Sequence, residues 1–193
     1  MTLSTVKGAT AYFFGSFNPL HLGHVLLAQS ALYQLALAEV VLVPTGQPPH
    51  RQGLWPIEHR LAMAKLSCQG LAGLRVSDVE GSDEAHYTAA TLQQLVGQHP
   101  PHRIPLVLGE DAYQSLHTWQ QPDWLQAHTL AIVAHRPEVT ATELKGWATY
   151  RLAMPLVGVS ATWLRERLAV GDEVRPWLHP EALDYGQQHQ LWP

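Results

Sequence analysis

The chain has 193 residues, 46% of them hydrophobic, with a formal net charge of −4 and a single cysteine, Cys68. That length suits one α/β domain with a sizeable core, and the mild acidity excludes a surface that wraps a nucleic-acid polymer, which needs a basic excess. One cysteine cannot build an internal disulfide framework, Met1 to Thr10 lacks the apolar centre of a signal peptide, and no apolar run approaches a membrane span, so a cytoplasmic, membrane-free protein is expected.

In chain order, Ala9–Phe14 reads as a first strand and His21–Leu37 as a first helix. Between them runs Gly15-Ser16-Phe17-Asn18-Pro19-Leu20-His21-Leu22-Gly23-His24. A small-residue turn from strand to helix gathers backbone N–H groups and a helix N-terminus at one point, which favours an anion. His21 and His24 are three apart, so their rings share one helix face. Such a pair is also open to zinc, but no third ligand of the right kind lies nearby in sequence.

Glu39–Val43 reads as a second buried strand ended by Pro44, followed by a Pro/Gly/His loop over Thr45–Trp55. Ile57–Cys68 is helical, Leu74–Asp78 a third strand and Thr88–Val96 a helix. Ile104–Gly109, Thr129–Ala134 and Leu152–Val157 read as strands four to six, with Glu138–Trp147 an irregular connection. Ser160–Val170 and Pro180–Gln188 are closing helices, with Ser160 placed to cap the former and Pro180 at the first position of the latter. Apolar strands separated by helices indicate a Rossmann-like parallel sheet covered on both faces. Ligands then bind beyond the strands' C-terminal ends, near the switch point, which is the edge that carries the first motif.

A second constellation is Val159-Ser160-Ala161-Thr162-Trp163-Leu164-Arg165. A Ser/Thr-rich helix start offers hydroxyls and N–H groups to phosphate, and the planar fork of Arg165, one turn on, can reach the same anion. Weaker segments are Pro48-Pro49-His50-Arg51, Tyr87-Thr88-Ala89-Ala90-Thr91-Leu92, Gly109-Glu110-Asp111, Thr118-Trp119 and His135-Arg136-Pro137.

The first motif resembles the (G/x)GxFxPxHxGH signature of the HxGH nucleotidyltransferase superfamily, and Val159–Arg165 resembles its [IV]S[SA]TxIR motif. With the weaker segments in this order, nearly the whole chain, from about Ala11 to Trp192, resembles the bacterial nicotinate-nucleotide adenylyltransferases. Departures are Phe14 where many members have Gly, Arg51 where Lys is commoner, Ala90 where an acidic or amide side chain is usual, and a short segment before Leu152. The resemblance implies one HxGH domain over residues 1–193, with about 160–193 completing the ATP site. It implies transfer of AMP from ATP to nicotinate mononucleotide, giving deamido-NAD and pyrophosphate in NAD biosynthesis. His21, His24, Ser16 and Arg165 are the implied catalytic set. Gly15, Ser16, Phe17, His21, His24, Gly109, Asp111, Ser160, Thr162 and Arg165 are implied to bind ATP, and Asn18, His50, Arg51, Thr88, Trp119 and Arg136 the mononucleotide. Mg²⁺ is expected to arrive with ATP, held by phosphates and water and by no protein side chain. A homo-oligomer is compatible with the chain. Two alternatives stand: nicotinamide mononucleotide or another small phosphate acceptor, and an ATP-binding sensor without turnover, the latter motivated by Phe14 and Ala90.

Overall fold

The computed structural model describes residues 6–46, 53–82, 86–134, 143–155 and 157–192. Six strands form one sheet in the order β3-β2-β1-β4-β5-β6: β1 Thr10–Gly15, β2 Glu39–Pro44, β3 Leu74–Val76, β4 Ile104–Leu108, β5 Thr129–Ala134 and β6 Thr149–Leu152. Every neighbouring pair is parallel, so the expected doubly covered sheet is what forms. The chain builds outward from β1 to β3 and then returns to place β4 on the other side of β1. That reversal makes the C-terminal end of β1 the switch point.

Alternate side chains of each central strand enter separate cores. Ala11 and Phe13 of β1 pack on one face with Val40, Leu42 and the buried stripe Leu27, Ala28, Ala31 and Leu32 of helix α1 (Leu22–Gln34). Tyr12 and Phe14 pack on the other with Val41, Val43, Leu106 and Leu108, beneath α3 (Thr88–Val96) and α4 (Glu110–Ser115). Continuous apolar runs are the natural sequence of strands buried on both faces. Phe14, where a glycine is common in the resembling family, is thus a core residue of the second face, 8% exposed. A third cluster joins α2 (Ile57–Cys68), α6 (Ala161–Ala169) and α7 (Pro180–Gln188) through Met63, Leu164, Leu168, Ala182 and Trp192. Among the described residues no helix is long and apolar enough to cross a membrane.

Several expectations shift. Helix α1 ends at Gln34, short of Leu37, because Ala36 turns left-handed at φ 48° and the Leu37 N–H donates back to the Leu32 carbonyl, closing the helix without a glycine. Strand β3 stops at Val76, β4 at Leu108, and Gly109 caps α4. The sixth strand is Thr149–Leu152, upstream of the expected Leu152–Val157. Pro155 interrupts the expected run with a residue that cannot donate to a ladder, while Thr149–Leu152 pairs with Ala131–Ala134 as a half-exposed edge. Two short helices, α4 and α5 (Pro122–His128), and the 3₁₀ turn Leu116–Thr118 between them were not expected. Of the expected connection Glu138–Trp147, residues 138–142 lie outside the described residues.

Candidate active site

Where β1 ends, the chain turns sharply. Phe17 adopts φ 42°, a left-handed conformation that is costly for an aromatic residue, yet it is 2% exposed. Its ring meets Phe13 edge-on at 5.2 Å and His24 edge-on at 5.1 Å. Gly15 makes this turn possible: a Cβ there would lie 2.8 Å from the Phe17 ring. Gly23 has a parallel role, since a Cβ would lie 3.2 Å from the His21 ring and 3.3 Å from Val159 of the C-terminal motif.

His21 caps α1 and His24 stands at its third residue, their rings stacked with centroids 3.7 Å apart. The shared face expected from the spacing is therefore realised as direct contact. The His21 backbone N–H donates to His24 Nδ1 at 3.2 Å, so a neutral His24 carries its proton on Nε2 and presents it as a donor. His21 is 7% exposed, and burial pushes its imidazole down to about 4, leaving it neutral at physiological pH. One feature of the helix start differs from expectation. The Leu22 N–H already donates to the Trp177 carbonyl at 2.9 Å, so the anion site rests more on side chains and less on free backbone donors.

Arg165 joins the two ends of the sequence. Its Nη1 donates to the Asn18 carbonyl at 2.8 Å across 147 positions, and its Nη2 to Thr162 Oγ1 at 3.2 Å. Ser160 caps α6, accepting from the Trp163 N–H. Asn18 is 2% exposed, and its Oδ1 accepts from the Trp55 N–H. That leaves Asn18 Nδ2, with His21 Nδ1, among the buried polar atoms without a partner. Buried polar atoms left unsatisfied cost about 1–3 kcal/mol each, so a turn that gathers two of them is a candidate ligand site. The turn, both histidines, Thr162 and Arg165 thus meet at the switch point.

The remaining expected residues share the sheet edge by topology, not by contact with the histidine pair. Thr88 opens α3 half-buried, Gly109 caps α4, and Asp111 lies exposed in the first turn of α4. Glu110, buried beside it, is bound by Arg151, which also holds Glu143. Trp119 is half-buried against the second core, with Nε1 donating to Ser115 Oγ at 3.2 Å. His50, Arg51 and Arg136 lie outside the described residues. Cys68 is buried and its thiol is pushed up to about 11, which leaves it unreactive.

Sequence reasoning missed Arg60. It is wholly buried on α2, and its guanidinium donates to the carbonyls of Trp55, Ser16, Thr45 and Gly46 at 2.7–2.9 Å. An arginine inside the otherwise apolar stripe of Ile57, Leu61 and Ala64 was the available signal.

Residues 12–167 match the cytidylyltransferase-like family model. A protein of Anaeromyxobacter sp. strain K named "Probable nicotinate-nucleotide adenylyltransferase" is 34% identical over 92% of this chain and 93% of its own length. Proteins of the same name from Salinibacter ruber and Thermus thermophilus are 35% and 33% identical, each over 93% of this chain and 95% and 97% of their own. Among solved structures, the nicotinic acid mononucleotide adenylyltransferase of Plasmodium falciparum complexed with APC superposes with a TM-score of 0.77 at 20% identity, over 95% of this chain and 96% of that one. A putative nicotinate-nucleotide adenylyltransferase of Vibrio parahaemolyticus gives 0.69 at 18%, over 95% and 94%. At those identities the superpositions speak for the fold.

Proposed function

The chain belongs to the cytidylyltransferase-like family as a nucleotidyltransferase, and from that premise we propose that it transfers the adenylyl group of ATP to nicotinate mononucleotide, giving deamido-NAD and pyrophosphate. The observation that carries this reading is the stacked His21–His24 pair in the β1–α1 turn, with Arg165 fastened to the carbonyl of Asn18 in that same turn.

The chemistry requires no covalent enzyme intermediate. A phosphate oxygen of the mononucleotide attacks the α-phosphorus of ATP, a new P–O bond forms, and the bond from α-phosphorus to the bridging oxygen breaks as pyrophosphate leaves. Catalysis is then positioning plus stabilisation of developing charge. His24 Nε2–H donates to the α-phosphate, oriented by its Nδ1 bond to the helix cap. His21 stays neutral beneath it and holds the ring by stacking. Arg165 steadies the leaving pyrophosphate and Ser16 donates to a phosphate oxygen. As N–H and O–H donors, the imidazole, amide, hydroxyl and guanidinium groups fit phosphate oxygens. Mg²⁺ carried in on ATP would be held by phosphate and water, supplying charge neutralisation. On the acceptor side, Thr88 bonds the nicotinate carboxylate, Trp119 stacks on the pyridine ring, and Arg51 and Arg136 hold the mononucleotide phosphate, while on the ATP side Asp111 accepts from a ribose hydroxyl. A cytoplasmic setting, where ATP is plentiful and a lone thiol stays reduced, suits this work.

The test is a product assay with ATP, Mg²⁺ and each mononucleotide side by side. Deamido-NAD with stoichiometric pyrophosphate supports the reading. NAD formed in preference moves the acceptor to the amide, and ATP binding without pyrophosphate release makes the protein a sensor.

A further inference from the structure

Arg60 and Glu80, two buried ionisable side chains outside the catalytic set, both approach Gly46. Arg60 Nη2 donates to the Gly46 carbonyl at 2.9 Å, and the Gly46 N–H faces the carboxyl of Glu80, whose proton affinity burial pushes up. Glu80 is 1% exposed, and its Oε1 accepts from the Thr91 hydroxyl of α3 at 2.6 Å. Arg60 Nη1 reaches the Ser16 and Thr45 carbonyls at 2.8 and 2.7 Å. Gly46 therefore lies between Arg60, which is bonded to Ser16, and Glu80, which is bonded to Thr91.

We propose that Arg60 and Glu80 are positioning residues forming one buried strut through Gly46, which fixes the phosphate-side turn at Ser16 relative to the acceptor-side helix α3. The proposal rests on the two-substrate reading above. A charge taken out of water is destabilising unless its hydrogen-bonding groups are matched, and a stable fold has cheaper ways to fill these volumes with apolar side chains. What the guanidinium offers that an apolar residue lacks is a rigid planar fork with donors in several directions. Here the fork spans the carbonyls that follow β1 and β2, the strands flanking the site. In-line transfer needs the attacking oxygen and the α-phosphorus held in register, and a misplacement of about 1 Å can lower the rate about 10²-fold. A strut joining the two halves sets that register without touching either substrate.

Two variants test it. Arg60→Lys keeps the charge but gathers its donors on one atom, and Thr91→Val removes only the hydroxyl that meets Glu80. Each is checked by melting temperature, then by the affinity for ATP and for the mononucleotide separately, and by the single-turnover rate with both bound. The expected result is a rate loss of about 10–100-fold for Arg60→Lys and a smaller one for Thr91→Val, with both affinities within about threefold of wild type. Amide hydrogen exchange reads the strut without turnover. Arg60→Lys should speed exchange of the α3 amides near Thr91 by about tenfold, and Thr91→Val should do the same near Ser16 and Phe17. Exchange changes confined to each mutated residue's own neighbours, or losses lying wholly in substrate affinity, overturn the proposal. Should Arg60→Lys fail to fold, Thr91→Val decides alone. A wild type that makes no dinucleotide refutes the proposed function, and the exchange measurement still judges the strut.

Discussion

Acidification should destabilise this protein through His21 in a defined window. The His21 imidazole is buried and pushed from 6.5 to about 4, so the folded protein refuses a proton that the unfolded chain accepts. Above pH 6.5 the group is neutral in both states and contributes no pH dependence. As pH falls from 6.5 to about 4, only the unfolded state is protonated, and folding stability is lost; below about 4 both states carry the proton and the loss stops growing. At about 1.36 kcal/mol per pH unit, that interval corresponds to about 3 kcal/mol. The assay is urea unfolding of wild type and His21→Gln across pH 4–7.5, because the difference between the two cancels titrations elsewhere. The wild-type advantage should shrink by about 3 kcal/mol between pH 6.5 and 4 and stay constant above. A difference flat to about 0.5 kcal/mol across the range would refute the buried neutral imidazole. Inorganic pyrophosphate in the turn would favour the protonated form, so the same loss should be smaller in its presence.

His24→Ala should lower turnover about 10²–10³-fold with a near-normal melting temperature, since it removes one donor aimed at developing charge; near-normal turnover would sink the assignment. Arg165→Lys should lose both turnover and ATP affinity, because a point charge cannot span the Asn18 carbonyl, Thr162 and a phosphate as the planar fork can; wild-type values for both would remove Arg165 from the site. Trp119→Ala should weaken nicotinate mononucleotide about tenfold or more while ATP affinity changes little. Equal losses for both substrates with a large fall in melting temperature would make Trp119 a packing residue of the second core.

The sequence by itself determined the layered α/β architecture and the strand-to-helix turn that forms the candidate site. Strands buried on both faces must be apolar throughout, so β1, β2, β4 and β5 stood out as runs. Helices Ile57–Cys68, Thr88–Val96 and Pro180–Gln188 matched their expected limits because caps, prolines and periodicity are local signals. The histidine spacing, the Ser160 cap and the small residues of the first turn are local in the same sense. Elements whose existence depends on distant neighbours were not legible. Strand β6 is an edge, with half-exposed Thr149, Tyr150 and Arg151, and it exists because β5 offers a ladder, so its residues need no apolar run. The short α4 and α5 bury few residues each and show no sustained period, although Pro122-Asp123 carried a helix-start signal. Tertiary structure alone decided which polar groups meet. The Arg165 bond to Asn18, the grip of Arg60 on four carbonyls, and the neutrality of His21 all arise when segments far apart in sequence exclude water together. Burial and partner geometry are properties of that assembly, and no window of sequence contains them.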